Sequence, residues 1–131
     1  MNGIVVIDKP KGVTSHDVVG MMRKRFGTRR VGHTGTLDPM ATGVLPICIG
    51  NATRAADMLI KSDKRYTAEL LLGKTTDTLD IEGTITGESE VNVTETQIRE
   101  TVSKFVGEIS QIPPMYSAIK KDGKKLYELA R

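Results

Sequence analysis

One stretch of the chain combines a single carboxylate with residues that disfavour helix and strand. The stretch is HTGTLDP (His33–Pro39), and its carboxylate is Asp38. Pro39 lacks a backbone N–H and disfavours the helical conformation at Asp38, and a stretch so rich in turn formers predicts a loop. A carboxylate on a loop can act as a covalent nucleophile. The alternative is that Asp38 only accepts a local turn hydrogen bond from its own backbone.

Short strands and helices are predicted on both sides of this loop. The β-branched run Gly3–Asp8 predicts a strand, and Ser15 is the expected N-cap of a helix from about His16 to Phe26. Gly27 is the residue at which this helix is expected to stop. The apolar segment Gly43–Gly50, which contains Pro46, predicts a buried, irregular strand. Further predictions are a helix capped by Asn51, strands at Arg65–Gly73, Gly83–Gly87 and Glu108–Ile112, and a hairpin turn at Asp122-Gly123. Thr94 and Gln97 predict a capping box at the start of another helix, which extends to about Phe105.

These elements follow one another without the strict rhythm of parallel βαβ units. The pattern therefore predicts an α+β fold with a mixed, largely antiparallel sheet and flanking helices. The 131 residues suffice for one modest domain with one core. A helical pattern runs to Arg131 without a stop signal, so we expect the chain to be part of a longer protein.

Composition limits the compartment and the partners. One cysteine, Cys48, excludes an internal disulfide and suits a reducing cytoplasm. No apolar run approaches the length of a membrane span, and the cysteine and two distant histidines suggest no metal site. Residues 1–65 carry 11 Lys/Arg against 5 Asp/Glu, with basic clusters at 23–25 and 29–30 and a further one at 120–125. This excess fits either a positive face for a polyanion or an ordinary solvated surface.

Four longer segments give the chain a specific resemblance. They are KPKGVTSHD (Lys9–Asp17), GHTGTLDPMATGVLPICIGNATR (Gly32–Arg54), KRYTAELLLGKTTDTLDIEG (Lys64–Gly83) and QIPPMYSAIKKDGKKLYELAR (Gln111–Arg131). In order and spacing they resemble the TruB family, the bacterial tRNA pseudouridine-55 synthases. The resemblance covers nearly the whole chain, and only the acidic stretch 88–104 has no recognisable signature.

The resemblance implies a fold, a reaction and a substrate. The fold is the pseudouridine synthase fold, a mixed sheet crossed by a cleft, incomplete in this chain. The reaction isomerises uridine 55 in the tRNA T loop: the base is cut from the ribose, rotated and rejoined through carbon, with no cofactor and no metal. The partner is tRNA, through its T-arm stem-loop. Residues 1–131 match the N-terminal portion of the catalytic domain, without its remaining strands, its active-site arginine or the C-terminal RNA-binding domain.

The resemblance also assigns roles to residues of this sequence. Asp38 matches the catalytic aspartate, with three routes left open: addition to the base, attack on the sugar carbon, or base at the ribose. Tyr66 matches the active-site tyrosine, whose ring can stack on the flipped uracil. His33 matches the histidine that helps to hold the RNA loop with the target uridine turned out. Basic motif positions match at Lys9, Arg54, Lys64 and Arg65, and each of these residues is either a phosphate contact or a structural support. Lys120 lies in segment 111–131, which matches the mobile thumb that closes over the RNA loop in the family.

Two functions are therefore weighed for the chain. The first is an isomerase, a tRNA pseudouridine synthase that uses Asp38. The second is a non-catalytic module that binds tRNA or helps it fold, favoured by the absence of the second half of the family pattern. The retained motif GHTGTLDP favours the enzyme.

Overall fold

A computed structural model describes residues 1–113, 120–121 and 123–125. The chain divides into two compact units, Met1–Tyr66 and Thr67–Arg131, and each is described by itself. Most of the thumb-like segment 111–131, including the predicted helix at its end, lies outside the described residues. Among the described residues, none of the helices has the length and the apolar character that crossing a bilayer requires.

The first unit is built on a three-stranded antiparallel sheet. Its strands are β1 (Gly3–Lys9), β2 (Val31–His33) and β3 (Gly43–Ile49), in the order β1-β3-β2. The register of β1 on β3 is continuous from Gly3 opposite Ile49 to Lys9 opposite Gly43. The predicted first strand and the predicted antiparallel pairing are confirmed.

Pro46 lies inside the central strand, and the strand is nevertheless regular. The sequence predicts an irregular strand here, and this expectation is wrong. The Pro46 carbonyl accepts a hydrogen bond from the Thr34 N–H at 3.2 Å, on the side of β2. In an antiparallel strand the nitrogen of a residue points to the same neighbour as its carbonyl. Because β2 ends at His33, the missing N–H of Pro46 removes no bond of the β ladder.

Helix α1 (Ser15–Phe26) covers one face of this sheet and closes the core. The buried hydrophobic cluster consists of residues from α1 and the strands: Val18, Val19, Val31, Leu45, Ile47 and Ile49. The N-cap of α1 is Thr14 rather than the predicted Ser15, because Thr14 and Asp17 form a reciprocal capping box. The helix ends, as predicted, at Gly27, which adopts the left-handed conformation with φ 60°.

The segment after β3 is helical, but Asn51 does not cap it. A 3-10 helix (Gly50–Ala55) leads directly into the short helix α2 (Ala56–Ile60). The Asn51 side-chain oxygen instead accepts a hydrogen bond from the Arg30 guanidinium at 3.0 Å. The prediction of a helix is confirmed, and the prediction of its cap is wrong, because the 3-10 helix begins at Gly50 and Asn51 lies inside it.

The described residues of the second unit form short antiparallel pairs and one helix. They are β4 (Lys74–Thr76) with β5 (Ile85–Glu88), α3 (Glu95–Ser103) with its predicted Thr94–Gln97 capping box, and β6 (Lys120–Lys121) with β7 (Lys124–Lys125). The β6–β7 pair confirms the predicted hairpin. The predicted strands at Arg65–Gly73 and Glu108–Ile112 are wrong, since neither segment finds a ladder partner among the described residues. Together the units confirm the predicted α+β class with antiparallel sheets.

Candidate active site

The Asp38 loop connects β2 to β3 and is attached to the core on both sides of the carboxylate. Thr34, at its start, is buried and bonded to the Pro46 carbonyl. Leu37 packs against the hydrophobic core, and Ala41 donates its N–H to the Asp38 carbonyl at 3.0 Å. The Asp38 side chain itself is exposed. Its carboxylate accepts no hydrogen bond from any residue that the structure describes, so a turn-forming role involves only its backbone.

Ser15 fixes the residue that precedes Asp38. Its hydroxyl accepts a hydrogen bond from the Leu37 N–H at 2.9 Å and donates to the Leu37 carbonyl at 3.1 Å. Ser15 is 2% exposed, so both bonds are shielded from water. The sequence analysis missed this role, although one signal was present: Thr14 and Ser15 can both cap α1, and only one hydroxyl is needed for that.

Lys9 fixes the residue that follows Asp38. Its ammonium group donates to the carbonyls of Val13 at 2.7 Å, Pro10 at 3.0 Å and Pro39 at 3.3 Å. The Pro39 carbonyl also accepts from the Gly12 N–H at 2.8 Å. Lys9 is completely buried. Three carbonyl oxygens are a suitable substitute for water around a buried ammonium, and these contacts support the structural role of Lys9 rather than a phosphate contact.

A cavity of about 470 Å³ opens beside the loop, a size within the range of ligand pockets. It is lined by three groups of residues of the first unit: residues 34–37, residues 42–46, and Leu59 with residues 62–66. The loop residue Leu37 lines it, whereas Asp38 does not. Asp38 therefore lies one residue away from the wall of the cavity, with its carboxylate in solvent.

Tyr66, Lys64 and Arg65 all line this cavity. Tyr66 is 68% exposed, so most of its ring is available for a stacking contact. The Lys64 ammonium donates to the carbonyls of Ile60 at 2.6 Å and Ser62 at 3.0 Å, which closes the end of α2. Arg65 is exposed, and its guanidinium has no hydrogen-bond partner in the described part of the chain.

His33 and Arg54 lie away from the cavity wall. His33 is the last residue of β2 and stands opposite Ile47, on the face of the sheet that carries the core. Its Nδ1 atom is buried and has no hydrogen-bond partner among the described residues. Arg54 is an exposed residue of the 3-10 helix. For Lys120, the structure describes only the backbone, in β6 of the second unit.

The pKa values of two carboxyl groups and one thiol are shifted by their surroundings. Hydrogen bonds from the Thr14 side chain and backbone hold the pKa of Asp17 below its usual range. Bonds from the Thr78 hydroxyl and the Glu82 N–H do the same for the pKa of Asp80, and burial raises the pKa of Cys48. Within the described residues, no group of three or more His, Cys, Asp or Glu side chains is placed to hold a metal ion.

A family model and several named proteins match the chain. The model of the family described as "TruB family pseudouridylate synthase (N terminal domain)" matches residues 23–131. A relative from Alkaliphilus oremlandii, named tRNA pseudouridine synthase B, is 60% identical over 131 residues, which are 100% of this chain and 44% of the relative. One of the same name from Syntrophotalea carbinolica is 54% identical over 132 residues, or 100% of this chain and 43% of the relative.

Solved structures agree with this assignment. A chain of a complex described as "Crystal Structure of a Cbf5-Nop10-Gar1 Complex" is 32% identical with a TM-score of 0.61, covering 90% of this chain and 31% of that one. A chain from a structure described as an H/ACA RNP bound to a substrate RNA containing 2'-deoxyuridine is 31% identical with a TM-score of 0.59. The match covers 83% of this chain and 29% of that one. The chain thus spans less than half the length of the relatives above. By its family-model match and these identities, the chain belongs to the TruB family of pseudouridylate synthases, in their N-terminal domain.

Proposed function

We propose that the chain is the part of a tRNA pseudouridine synthase that presents Asp38 to a uridine of the tRNA T arm. The names of the relatives support the reaction and the substrate. The observation that carries the proposal is the state of the Asp38 carboxylate. It is exposed and unbonded within the described chain, while the residues before and after it are fixed by Ser15 and Lys9.

The reaction needs little more than a positioned carboxylate. The bond between C1′ of the ribose and N1 of the base breaks, and a bond between C1′ and C5 forms. The hydrogen on C5 leaves as a proton and N1 takes up a proton, so no electrons are gained or lost. An exposed carboxylate can attack the base ring or the sugar carbon, or take a proton from the ribose. All three routes are compatible with the position of Asp38.

The cavity residues would receive the base once it leaves its stack. Extrusion of a base from its stack costs a few kcal/mol, and stacking on an aromatic ring returns about 1–3 kcal/mol per base. The exposed ring of Tyr66 is the group suited to this contact. Arg65 is the cavity residue suited to a phosphate. We propose an RNA role for His33, Arg54, Lys64 and Lys120 as well, and a cytoplasmic location, which the unpaired Cys48 suits.

The direct test measures tritium release from a T-arm transcript labelled at C5 of uracil. It uses the chain by itself and a longer version that continues into the C-terminal remainder of the Alkaliphilus oremlandii relative. We expect the longer protein to release tritium and its Asp38→Asn variant to lose more than about 10³-fold in rate, as expected for a nucleophile. Asp57→Asn, at an exposed carboxylate on α2, is the matched control and should leave the rate unchanged.

Binding of the same transcript separates chemistry from recognition. Asp38→Asn should bind at least as tightly as the parent does, because the substitution removes a charge that repels phosphate. Full turnover by Asp38→Asn would disprove the assignment of Asp38. RNA binding without turnover by the longer parent protein would favour the non-catalytic module.

A further inference from the structure

Five exposed basic residues surround the connection from α1 to β2, and we call them the basic edge. They are Arg23, Lys24, Arg25, Arg29 and Arg30. The twenty residues from 18 to 37 contain no Asp or Glu that could neutralise them locally. The ion pairs found in the described part of the chain are Lys74 with Glu88 and Arg99 with Glu95, both in the second unit. The basic edge is therefore a concentrated, uncompensated positive charge.

The backbone under the basic edge is firmly held. At the left-handed Gly27 the chain reverses, and the N–H groups of Gly27 and Thr28 bond the Arg23 carbonyl. The Thr28 hydroxyl accepts from the Arg30 N–H at 3.2 Å, and the Arg30 carbonyl accepts from the Gly50 N–H at 2.7 Å. A fixed backbone reduces the entropy that a ligand must remove when it binds these side chains.

Two of the arginines are oriented by contacts that leave donors free. The Arg30 guanidinium uses Nη1 on the Asn51 oxygen at 3.0 Å, and Nη2 of Arg23 lies 3.5 Å from the Val31 carbonyl. A guanidinium has five N–H donors, so most of them still point to solvent. In a 3-10 helix, residues three apart share a face. Arg54 therefore follows Asn51 on the side of the helix that Arg30 reaches.

The chemistry of the basic edge fits a nucleic-acid backbone better than a lipid surface. Four of its five residues are arginines, whose planar fork binds phosphate oxygens in pairs. A membrane-binding helix needs an exposed apolar face beside its cations. In α1 Val18 and Val19 are buried and Met22 and Phe26 pack on the core, so the helix leaves the single apolar side chain of Met21 exposed rather than an apolar face.

The basic edge and the Asp38 loop lie at opposite ends of the same sheet. Val31, which follows Arg30, stands opposite Ile49, whereas Lys9, which holds the Asp38 loop, stands opposite Gly43. Six residue steps along β3 separate these ends, a distance of about 20 Å. The Debye length at physiological salt is about 8 Å. The basic edge therefore acts on RNA at its own position and not through the field at Asp38.

We propose that the basic edge is a second RNA-binding surface, which holds the sugar-phosphate backbone of the substrate tRNA about 20 Å from the residue that reacts. It rests on the proposed function, which supplies tRNA as the RNA. Its contacts are to phosphates, so it contributes affinity and orientation and reads no sequence.

The test is the salt dependence of tRNA binding by the 131-residue chain. Fluorescence anisotropy of a labelled tRNA transcript is measured between about 50 and 200 mM KCl for the parent and the triple variant Lys24→Gln/Arg25→Gln/Arg29→Gln. These three side chains make no hydrogen bonds in the described chain, so the fold should persist. Each phosphate contact contributes about 0.7–0.9 to the slope of log K against log salt, so the slope should fall by about 2–3.

A matched control removes the same charge elsewhere. Lys74→Gln/Arg99→Gln/Lys104→Gln alters three exposed cations of the second unit and should keep the parental slope. A parental slope in the basic-edge variant, or an equal fall in the control, would overturn the proposal while leaving the Asp38 assignment intact. A parent that binds anionic vesicles and not tRNA would overturn both the basic edge as an RNA surface and the proposed substrate.

Discussion

At the scale of single residues, the candidate site depends on two buried side chains that hold the loop around Asp38, those of Ser15 and Lys9. The Asp38 carboxylate has no hydrogen-bond partner in the described chain, whereas the residues on both sides of Asp38 are fixed. Ser15 bonds both backbone groups of Leu37, and Lys9 bonds the carbonyl of Pro39. A reactive carboxylate must be placed within a fraction of an ångström of its target, and side chains locked by packing provide that precision. In the proposed reaction Ser15 and Lys9 are thus positioning residues, whose effect is indirect.

We predict that Ser15→Ala loosens the Asp38 loop more than its loss of stability alone would suggest. The substitution leaves the buried N–H and carbonyl of Leu37 without partners, which should lower the free energy of unfolding by about 1–3 kcal/mol. Urea denaturation measures that loss, and amide hydrogen exchange at Leu37 should become much faster than at Val18. Ser103→Ala, at an exposed hydroxyl of α3, is the control and should change stability by less than about 0.5 kcal/mol. Unchanged exchange at Leu37 would contradict this role of Ser15.

At the scale of elements, α1 starts at a capping box whose acid is Asp17. The Asp17 carboxylate accepts from the Thr14 N–H at 2.8 Å and from its hydroxyl at 2.7 Å, which lowers its pKa from the ordinary 3.8. A lowered pKa in the folded state means that the ionised form stabilises the fold. This contribution is fully present above the unfolded pKa and disappears as the pH falls through the lower folded value.

We therefore predict that Asp17→Asn is most destabilising near neutral pH. The difference in unfolding free energy between parent and variant should shrink as the pH falls below 3.8, where the parent loses its charge as well. Urea denaturation at about pH 6, 4 and 3 measures this convergence. Asp57→Asn removes a carboxylate that accepts no hydrogen bond in the described chain, so it should show no comparable convergence. A difference between parent and Asp17→Asn that is constant with pH would contradict the capping role.

Two glycines in different elements should respond to alanine with opposite signs. Gly20 lies inside α1, and a methyl group there would meet no other atom within 4 Å, so Gly20→Ala should stabilise the fold by up to about 1 kcal/mol. Gly50 has φ +62°, and a methyl there would collide with the Met1 carbonyl and the Asn2 side chain. Gly50→Ala should therefore lower the free energy of unfolding by about 1–3 kcal/mol. Thermal unfolding of both variants compares them, and stabilisation by Gly50→Ala would show that the N-terminal residues move aside freely.

The elements also show where sequence reasoning succeeds. Local signals are sufficient for β1, for the stop at Gly27 and for the Thr94–Gln97 box, because each depends on residues within a few positions. The Asp38 loop is predictable for the same reason. The assignment of Ser15 as the cap fails because its partner Leu37 is 22 residues away. A strand at Arg65–Gly73 is predicted from β-branched and apolar residues, but a strand also needs a neighbour, and no local pattern reports one.

At the scale of the whole molecule, burial is distributed unevenly between the two units. Every hydrophobic residue that the described structure buries lies in Met1–Tyr66: Val18, Val19, Val31, Leu45, Ile47, Cys48 and Ile49. In the second unit, large apolar side chains are open to water, with Leu70 81% and Val106 82% exposed. Because hydrophobic burial is the main favourable term in folding, the stability of the described chain resides mainly in the first unit.

This distribution predicts two classes of amide hydrogen exchange in the isolated chain. Amides of β1, β3 and α1 should exchange only on global opening, whereas those of β4, β5 and α3 should exchange by local opening, orders of magnitude faster. Exchange followed by mass spectrometry measures both classes in one experiment.

The Asp38 loop should belong to the slow class at Leu37, whose N–H is bonded to Ser15, even though the Asp38 carboxylate is in solvent. Equal protection in both units would contradict the inference, since it would require a second core that the described burial does not contain. A protected loop in the stable unit is what the role proposed for Asp38 requires, because a rigid scaffold would set the position of the carboxylate before the proposed RNA substrate binds.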